Sequence, residues 1–67
     1  MLSINVNGEL CSTAAGIRVS GLIAQLGLSG SRVAVAIGRE VVARSQHSER
    51  EICDGDRVEI LEAVGGG

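Results

Sequence analysis

The residues of this chain that point most clearly to a chemical reaction are its last three, Gly65-Gly66-Gly67. They follow a stretch with strand character. Glycine loses much conformational freedom on ordering and adds no side-chain packing, so a terminal run of it does not serve stability. The run alone leaves two interpretations open. One is a frayed end, which is common at chain termini; the other is a carboxylate presented on a thin, flexible arm.

In the second interpretation, the reacting group is the carboxylate of Gly67. Extended residues span ~3.3–3.6 Å each, so three glycines reach roughly 10 Å beyond a folded domain. That reach places a carboxylate in another enzyme's pocket while the domain stays outside. Once partner cations and Mg²⁺ offset its charge, the carboxylate can attack the α-phosphate of ATP. The acyl-adenylate that forms is a mixed anhydride, which a persulfide or thiol can displace.

The other reactive residue types predict no catalytic or metal site. His47 is the single histidine and stands in a polar stretch, so we expect a solvated loop residue rather than the base of a catalytic triad. Asp54 and Asp56 flank a glycine, but no carboxylates follow at the spacing of a calcium loop, which favours a turn. Cys11 and Cys53 belong to no CxxC motif, and we expect two small, at least partly buried apolar residues in a reducing cytosol.

The amino-acid composition excludes several other classes of protein. The 67 residues are 45% apolar without any aromatic residue, which excludes disorder and gives little material for the walls of a ligand pocket. The net charge is -2 with six Arg and no Lys, unlike a nucleic-acid-binding surface of basic and stacking side chains. No apolar segment approaches the ~20 residues of a membrane span, and Met1 does not open a signal peptide. We therefore expect a cytoplasmic carrier or binding module that binds neither nucleic acid nor membrane.

The first half of the chain predicts a hairpin and a helix. Leu2, Ile4 and Val6 alternate with polar residues, which predicts a strand over 2–6. Asn7-Gly8 is typical of a type I′ turn, and the chain returns as a strand from Glu9 to about Ala14.

One face of the next segment is apolar with helical spacing, and its members are Val19, Leu22, Ile23 and Leu26. This stripe predicts a helix over about residues 19–27. Gly27 and Leu28 suit a Schellman ending. Ser20 is the candidate N-cap, and Gly21 weakens the first turn.

The second half predicts three further strands, over 33–37, 40–43 and 57–64. Larger side chains alternate with alanines in 33–37, which indicates a central strand whose larger face packs on the helix. Residues 44–53 are polar and predict an irregular loop with room for one helical turn. Residues 54–56 predict a turn.

These elements together predict an α+β chain with the β-grasp (ubiquitin-like) fold. A mixed four- to five-stranded sheet would pack on one main helix, with the last strand beside the first and the other sheet face open to solvent or a partner. The predicted division is a β-grasp domain over 1–64 and a flexible glycine tail over 65–67.

Five stretches of the sequence carry a resemblance to a known family. They are Asn7-Gly8-Glu9, Val33–Ile37, Glu40-Val41-Val42 with Arg44-Ser45, Asp54–Ile60 and Ala63–Gly67. The chain resembles, over essentially its whole length, ThiS, the ubiquitin-like sulfur carriers of thiamin biosynthesis. It departs from the family at Gly38, Ala43 and His47, where Asn, Pro and an aromatic residue are usual.

The resemblance implies a carrier that serves as a co-substrate and is not itself an enzyme. A ThiF-like adenylating enzyme would activate Gly67 with ATP and Mg²⁺, so this chain itself would bind no cofactor and no metal. A cysteine desulfurase or another donor would supply sulfur for a C-terminal thiocarboxylate, which a ThiG-like thiazole synthase would use. Gly65 and Gly66 would form the arm that enters the active sites of these partners.

Two alternatives remain beside this expectation. The first is a carrier for another acceptor, similar to the small subunit of molybdopterin synthase. The shorter chain and the Ala63-Val64 approach to the glycines favour thiamin over that acceptor. The second is a β-grasp interaction module without carrier chemistry, in which the glycines have no function.

Overall fold

The computed structural model of the protein describes residues 1–29 and 32–62. Its elements are β1 (Leu2–Val6), β2 (Glu9–Thr13), α1 (Val19–Gln25), β3 (Val33–Ile37), β4 (Glu40–Val42), a 3₁₀ turn (Arg44–Gln46) and β5 (Arg57–Glu62). All predicted strands are present, and the irregular loop does contain one helical turn. β2 and β4 each end one residue before the predicted boundary. Residues 63 and 64, predicted to complete the last strand, lie outside the described residues.

The strands form one mixed sheet in the order β2-β1-β5-β3-β4. β5 lies between β1, to which it runs parallel, and β3, to which it runs antiparallel. The two hairpins, β1–β2 and β3–β4, therefore flank the last strand. This order, with one helix against one face, confirms the predicted β-grasp arrangement. No helix in the described ranges is both long and apolar enough to span a membrane.

The turn between β1 and β2 has the backbone that its sequence predicts. Asn7 has φ 51° and Gly8 has φ 88°, and two consecutive positive values are what a type I′ turn requires. The amide of Gly8 also donates to the side-chain oxygen of Asn5 at 2.8 Å. The turn sets the register in which Val6 lies opposite Glu9.

The core lies between α1 and one face of the sheet. Its buried residues are Val19, Leu22 and Ile23 of the helix, Ile4, Val6, Val35, Ile37, Val42, Val58 and Ile60 of the strands, and Ile52 of the connection before β5. The larger residues of β3 face the helix, and Ala34 is exposed on the other side, as predicted. Ile52 is the exception to the sequence analysis, which placed it in a polar loop. A single apolar residue has no periodicity that could reveal its burial.

The helix begins differently from the prediction. The N-cap position is Arg18, which makes no capping bond with its side chain, so the assignment of Ser20 as the N-cap is wrong. Instead, the amides of Val19 and Ser20 donate to the carbonyl oxygens of Arg50 and His47, at 2.9 and 2.8 Å. Groups from the loop before β5 thus satisfy the first helical amides, which otherwise lack partners.

The end of the helix follows the predicted motif but comes earlier. The helix stops at Gln25 rather than at residue 27. Gly27 has φ 76°, its amide donates to the carbonyl of Ala24, and the amide of Leu28 donates to that of Ile23, both at 3.0 Å. These two bonds define a Schellman ending. Leu28 packs against the core, which confirms the predicted contact.

Candidate functional site

The predicted site residues Gly65, Gly66 and Gly67 lie outside the described residues. The described chain reaches Glu62 at the end of β5, and the structure therefore shows how the base of the tail is held. Glu62 pairs with Val33 at the beginning of β3. We call this end of the sheet the tail end.

β5 is bonded to its neighbours on both sides close to the tail end. On one side it pairs with β3 throughout its length. On the other side β1 ends early, and its last backbone bond joins the amide of Asn7 to the carbonyl of Val58 at 2.9 Å. The side chain of Asn7 then continues the ladder: its Nδ2 donates to the carbonyl of Ile60 at 3.0 Å, and its Oδ1 accepts from the amide of Ile60 at 2.8 Å. The Asn7 side chain thus makes the two backbone hydrogen bonds that a further residue of β1 would make to β5.

The sheet face away from the helix carries an apolar patch on β5, β3 and β4. Register places Leu61 beside Ala34, and Val41 beside Ala36. Leu61 and Val41 are 72% and 77% exposed. We call these four residues the sheet-face patch. Large apolar side chains left this open on the strands to either side of β3, with alanines between them, make this face a candidate interaction surface.

The other half of the same face is mainly polar. It presents Ser3, Asn5, Ser12 and Arg57. Leu10 on the edge strand β2 is the exposed apolar residue of this half, at 81% exposure. The apolar part of this face is therefore on β3, β4 and the end of β5, where Glu59, the partner of Ala36, is the charged neighbour.

Basic side chains line a cleft at the tail end. The cleft has a volume of about 450 Å³, and its lining residues are Ser20, Ile23, Ser29, Arg32, Val33, Arg44 and His47. Arg32 and Arg44 also line an adjoining groove of about 280 Å³ with Leu61 and Glu62. The prediction of a solvated His47 is wrong: the side chain is half-buried, and its Nε2 lies 3.3 Å from the carbonyl oxygen of Val42.

The remaining candidate residues have structural roles or none. Asp54 and Asp56 form the predicted turn, since Asp54 accepts from the amide of Ser3 and Asp56 from that of Cys53, each at 2.8 Å. Cys11 is half-buried as expected, whereas Cys53 is exposed, which contradicts its predicted burial. Cys53 lies next to a turn at the surface. Within the described ranges, no three His, Cys, Asp or Glu side chains are grouped to hold a metal ion.

The comparisons with known proteins include the whole tail. The sequence model of the ThiS family matches residues 4–67. The chain belongs to the ThiS family. It is 30% identical to the sulfur carrier protein ThiS of Escherichia coli, over 98% of this chain and 100% of that protein. It also superimposes on the crystal structure of the thiamine biosynthesis protein ThiS from Geobacter metallireducens with a TM-score of 0.83, at 30% identity, covering 98% of this chain and 100% of the other.

These findings confirm the resemblance to the ThiS family and the β-grasp fold. The chain is also 33% identical to a thiazole synthase of Paramagnetospirillum magneticum and 32% to one of Magnetococcus marinus, in each case over 98% of its own length. It spans only about a fifth of the length of those enzymes, at 20% coverage.

The sequence alone predicts an open sheet face without identifying its contact residues. The strand phase nevertheless contains a signal for one of them. Leu61 is out of phase with the inward residues Val58 and Ile60, and a large apolar residue out of phase must point outward. No comparable signal marks Arg32 and Arg44, because the ThiS fold brings them together only when β4 pairs with β3.

Proposed function

We propose that this ThiS-type carrier works through Gly67, whose carboxylate is adenylated and then converted to a thiocarboxylate that donates sulfur for thiazole formation. The observation that carries the proposal is the extent of the family match, which runs through Gly65-Gly66-Gly67 to the last residue. Two residues, Ala63 and Val64, separate the tail from a strand that is bonded on both sides. A firmly held strand followed by a segment that ends in three residues without side chains is suited to presenting a carboxylate.

The domain contributes position, and the partners contribute the reaction. Five residues follow Glu62, and an extended segment of that length reaches roughly 17 Å. An adenylating enzyme of the ThiF type supplies ATP, Mg²⁺ and the cations that neutralise two reacting anions. Attack of the Gly67 carboxylate on the α-phosphate releases pyrophosphate, and sulfur from a cysteine desulfurase or another donor then displaces AMP. A persulfide donor leaves an acyl disulfide, which a second thiol of the partner cleaves to the thiocarboxylate and a disulfide. The carrier is a co-substrate in this scheme, and ATP and Mg²⁺ remain bound to the partner.

The sheet-face patch is the docking surface in this proposal. It lies on the strand that leads into the tail, so a partner that covers Leu61 is already beside the point from which the tail extends. The thiazole synthases that contain a ThiS-like segment support a thiazole synthase as the recipient of the sulfur. A carrier joined to an enzyme in one chain is kept close to its point of use.

The test is the intact mass of the chain after incubation with a ThiF-like adenylating enzyme, ATP, Mg²⁺ and a sulfur donor. We expect one oxygen to be replaced by one sulfur, and fragmentation to place that sulfur on Gly67. A Cys11→Ala/Cys53→Ala variant is the matched control and should gain sulfur equally well. Sulfur found on either cysteine, or an unchanged mass with a partner shown to be active, contradicts the proposal.

Deletion of Gly66-Gly67 separates the carrier from an interaction module without chemistry. The truncated chain should keep its fold and its docking surface but support no thiazole formation. A truncated chain that still supports thiamin synthesis would make the tail irrelevant. Transfer of the sulfur to a molybdopterin precursor, with none reaching a thiazole synthase, would instead favour the other carrier hypothesis.

A further inference from the structure

We propose that Arg32 and Arg44 form a basic contact at the tail end that binds acidic side chains on the enzyme that accepts the tail. This inference rests on the proposed function, because it names a surface that brings the tail to its partner. Its evidence is different, since it comes from the charges around one cleft rather than from the glycines.

The strand pairing places both arginines beside the base of the tail. Arg32 precedes β3 and Arg44 follows β4, and these strands are antiparallel neighbours, so the beginning of one lies beside the end of the other. β5 reaches the same end, where Glu62 pairs with Val33. Both arginines therefore lie on the β3–β4 side of the strand from which the tail continues, and both line one groove with Leu61 and Glu62.

The charges in this region are not balanced within the described chain. The 450 Å³ cleft is lined by Arg32, Arg44 and His47 together with two serine side chains, and no carboxylate lines it. The ion pair of the described residues is Arg50–Glu40, and neither Arg32 nor Arg44 has a carboxylate within ion-pair distance there. Glu62 lines the adjoining groove without pairing with either arginine.

This imbalance is unusual for the chain as a whole, which carries eight carboxylates and a net charge of -2. Two cations side by side, with no paired carboxylate among residues 1–29 and 32–62, raise the local potential and attract anions. Both side chains are exposed, so an incoming protein can reach them without any rearrangement of the domain. The surface around Arg32 and Arg44 is thus suited to binding a negatively charged partner.

An acidic protein surface fits the region better than other anions. The groove joins the arginines to Leu61 and Ala34, which belong to the sheet-face patch. Protein interfaces combine an apolar centre with a charged rim in this way. Single-stranded nucleic acid needs aromatic side chains on which bases stack, and the chain has none. The occupant we infer is therefore a carboxylate-bearing rim around the pocket that takes the tail.

Rim charges act mainly on the rate of association and its salt dependence. The test compares Arg32→Gln/Arg44→Gln, which removes two positive charges, with Arg39→Gln, which removes one at the opposite end of the sheet. The association rate of the full chain with a ThiF-like adenylating enzyme is measured at low and at high salt. We expect the double variant to associate about tenfold more slowly at low salt, with a flatter salt dependence. Arg39→Gln should change the rate less than about twofold, because its charge lies far from the docking site.

Equal rates and equal salt slopes for all three proteins would overturn the inference. Two further measurements address other occupants, using the side-chain resonances of Arg32 and Arg44. Inorganic phosphate that shifts them at submillimolar concentration would show a site for a small oxyanion instead. A shift of the same resonances on deletion of Gly65–Gly67 would show that the cleft takes the chain's own carboxylate. Either result overturns an acidic protein partner.

The inference and the proposed function fail separately. At saturating enzyme, the double variant should still gain sulfur on Gly67, because slower docking does not alter the tail chemistry. Wild-type protein that associates with arginine-dependent rates but never gains sulfur would refute the proposed function and leave the docking contact intact. Far-UV circular dichroism of each variant establishes that its fold is unchanged.

Discussion

The side chain of Asn7 should make a measurable contribution to holding the strand that carries the tail. Its amide group makes two hydrogen bonds to the backbone of Ile60, at positions 53 residues apart in sequence. Asn7→Gly removes both bonds while leaving a residue that accepts the positive φ of the turn. Asn7→Ala would confound the two effects, because alanine is strained at φ 51°.

The magnitude follows from the number of bonds and their exposure. A net contribution of ~0.5–1.5 kcal/mol per hydrogen bond gives about 1–3 kcal/mol for the pair. Water reaches this part-buried site when the side chain is absent, so we expect the lower half of that range, about 1–2 kcal/mol. Glycine relieves the backbone strain of a positive φ but raises the entropy of the unfolded chain, and these two effects oppose each other.

Urea unfolding followed by far-UV circular dichroism measures the change, since the chain has no Trp or Tyr for fluorescence. Hydrogen exchange of the Ile60 amide gives a local measurement, and we expect its protection to fall about tenfold for ~1.4 kcal/mol. Asn7→Asp is the matched control. It keeps the oxygen that accepts from Ile60 but loses the donor, so its amide at Ile60 should stay better protected than in Asn7→Gly.

An Asn7→Gly protein within about 0.3 kcal/mol of wild type would refute this account, as would unchanged exchange at Ile60. The first result would mean that water replaces both bonds without loss. The second would mean that β3 alone protects this part of β5. In either case, the side chain would not extend the β1 ladder in any energetic sense.

Three further predictions concern the core, the helix and the docking face. Ile52→Ala should lower the free energy of unfolding by about 2–5 kcal/mol, because it opens a cavity in the core. The control Cys53→Ala, at the exposed neighbouring position, should change that free energy by less than ~0.5 kcal/mol. Equal effects of the two substitutions would place Ile52 outside the core. Gly21→Ala should destabilise the domain by about 1 kcal/mol, because overpacking outweighs the gain in helix propensity. The added Cβ would lie 2.9 Å from Cγ1 of Ile17. A variant that is more stable than wild type in urea unfolding would contradict this prediction. Leu61→Asp should weaken binding to a ThiF-like enzyme at least about tenfold without unfolding the domain, and Leu10→Asp should weaken it less than about twofold. Equal losses of affinity in a binding titration would argue against the sheet-face patch as the docking surface.

Features that depend on neighbouring residues could be predicted from the sequence. The hairpin followed from period-2 alternation and from Asn7-Gly8, which is confirmed by two positive φ values. The helix ending followed from the apolar stripe and Gly27, and the observed bonds form the expected motif. These predictions succeed because φ preferences and side-chain periods are properties of short segments.

Features that depend on distant contacts could not be predicted. Ile52 enters the core although its own segment has no pattern, and loop carbonyls from Arg50 and His47 take the place of a side-chain N-cap. The exposure of Cys53 is decided in the same way, by which elements close over it and which do not. Each of these depends on where the connection before β5 lies against α1.

The candidate site likewise has one part that the sequence predicts and another that depends on tertiary contacts. The sequence by itself indicated the reacting group that we propose, since a run of three glycines after a strand is distinctive without any knowledge of the fold. Only the tertiary structure decided what surrounds the base of the tail. Insertion of β5 between β1 and β3 brings Leu61 beside the alanine face, and pairing of β4 with β3 brings Arg32 beside Arg44. Strand pairing decides both sets of neighbours, and no local period or propensity encodes them.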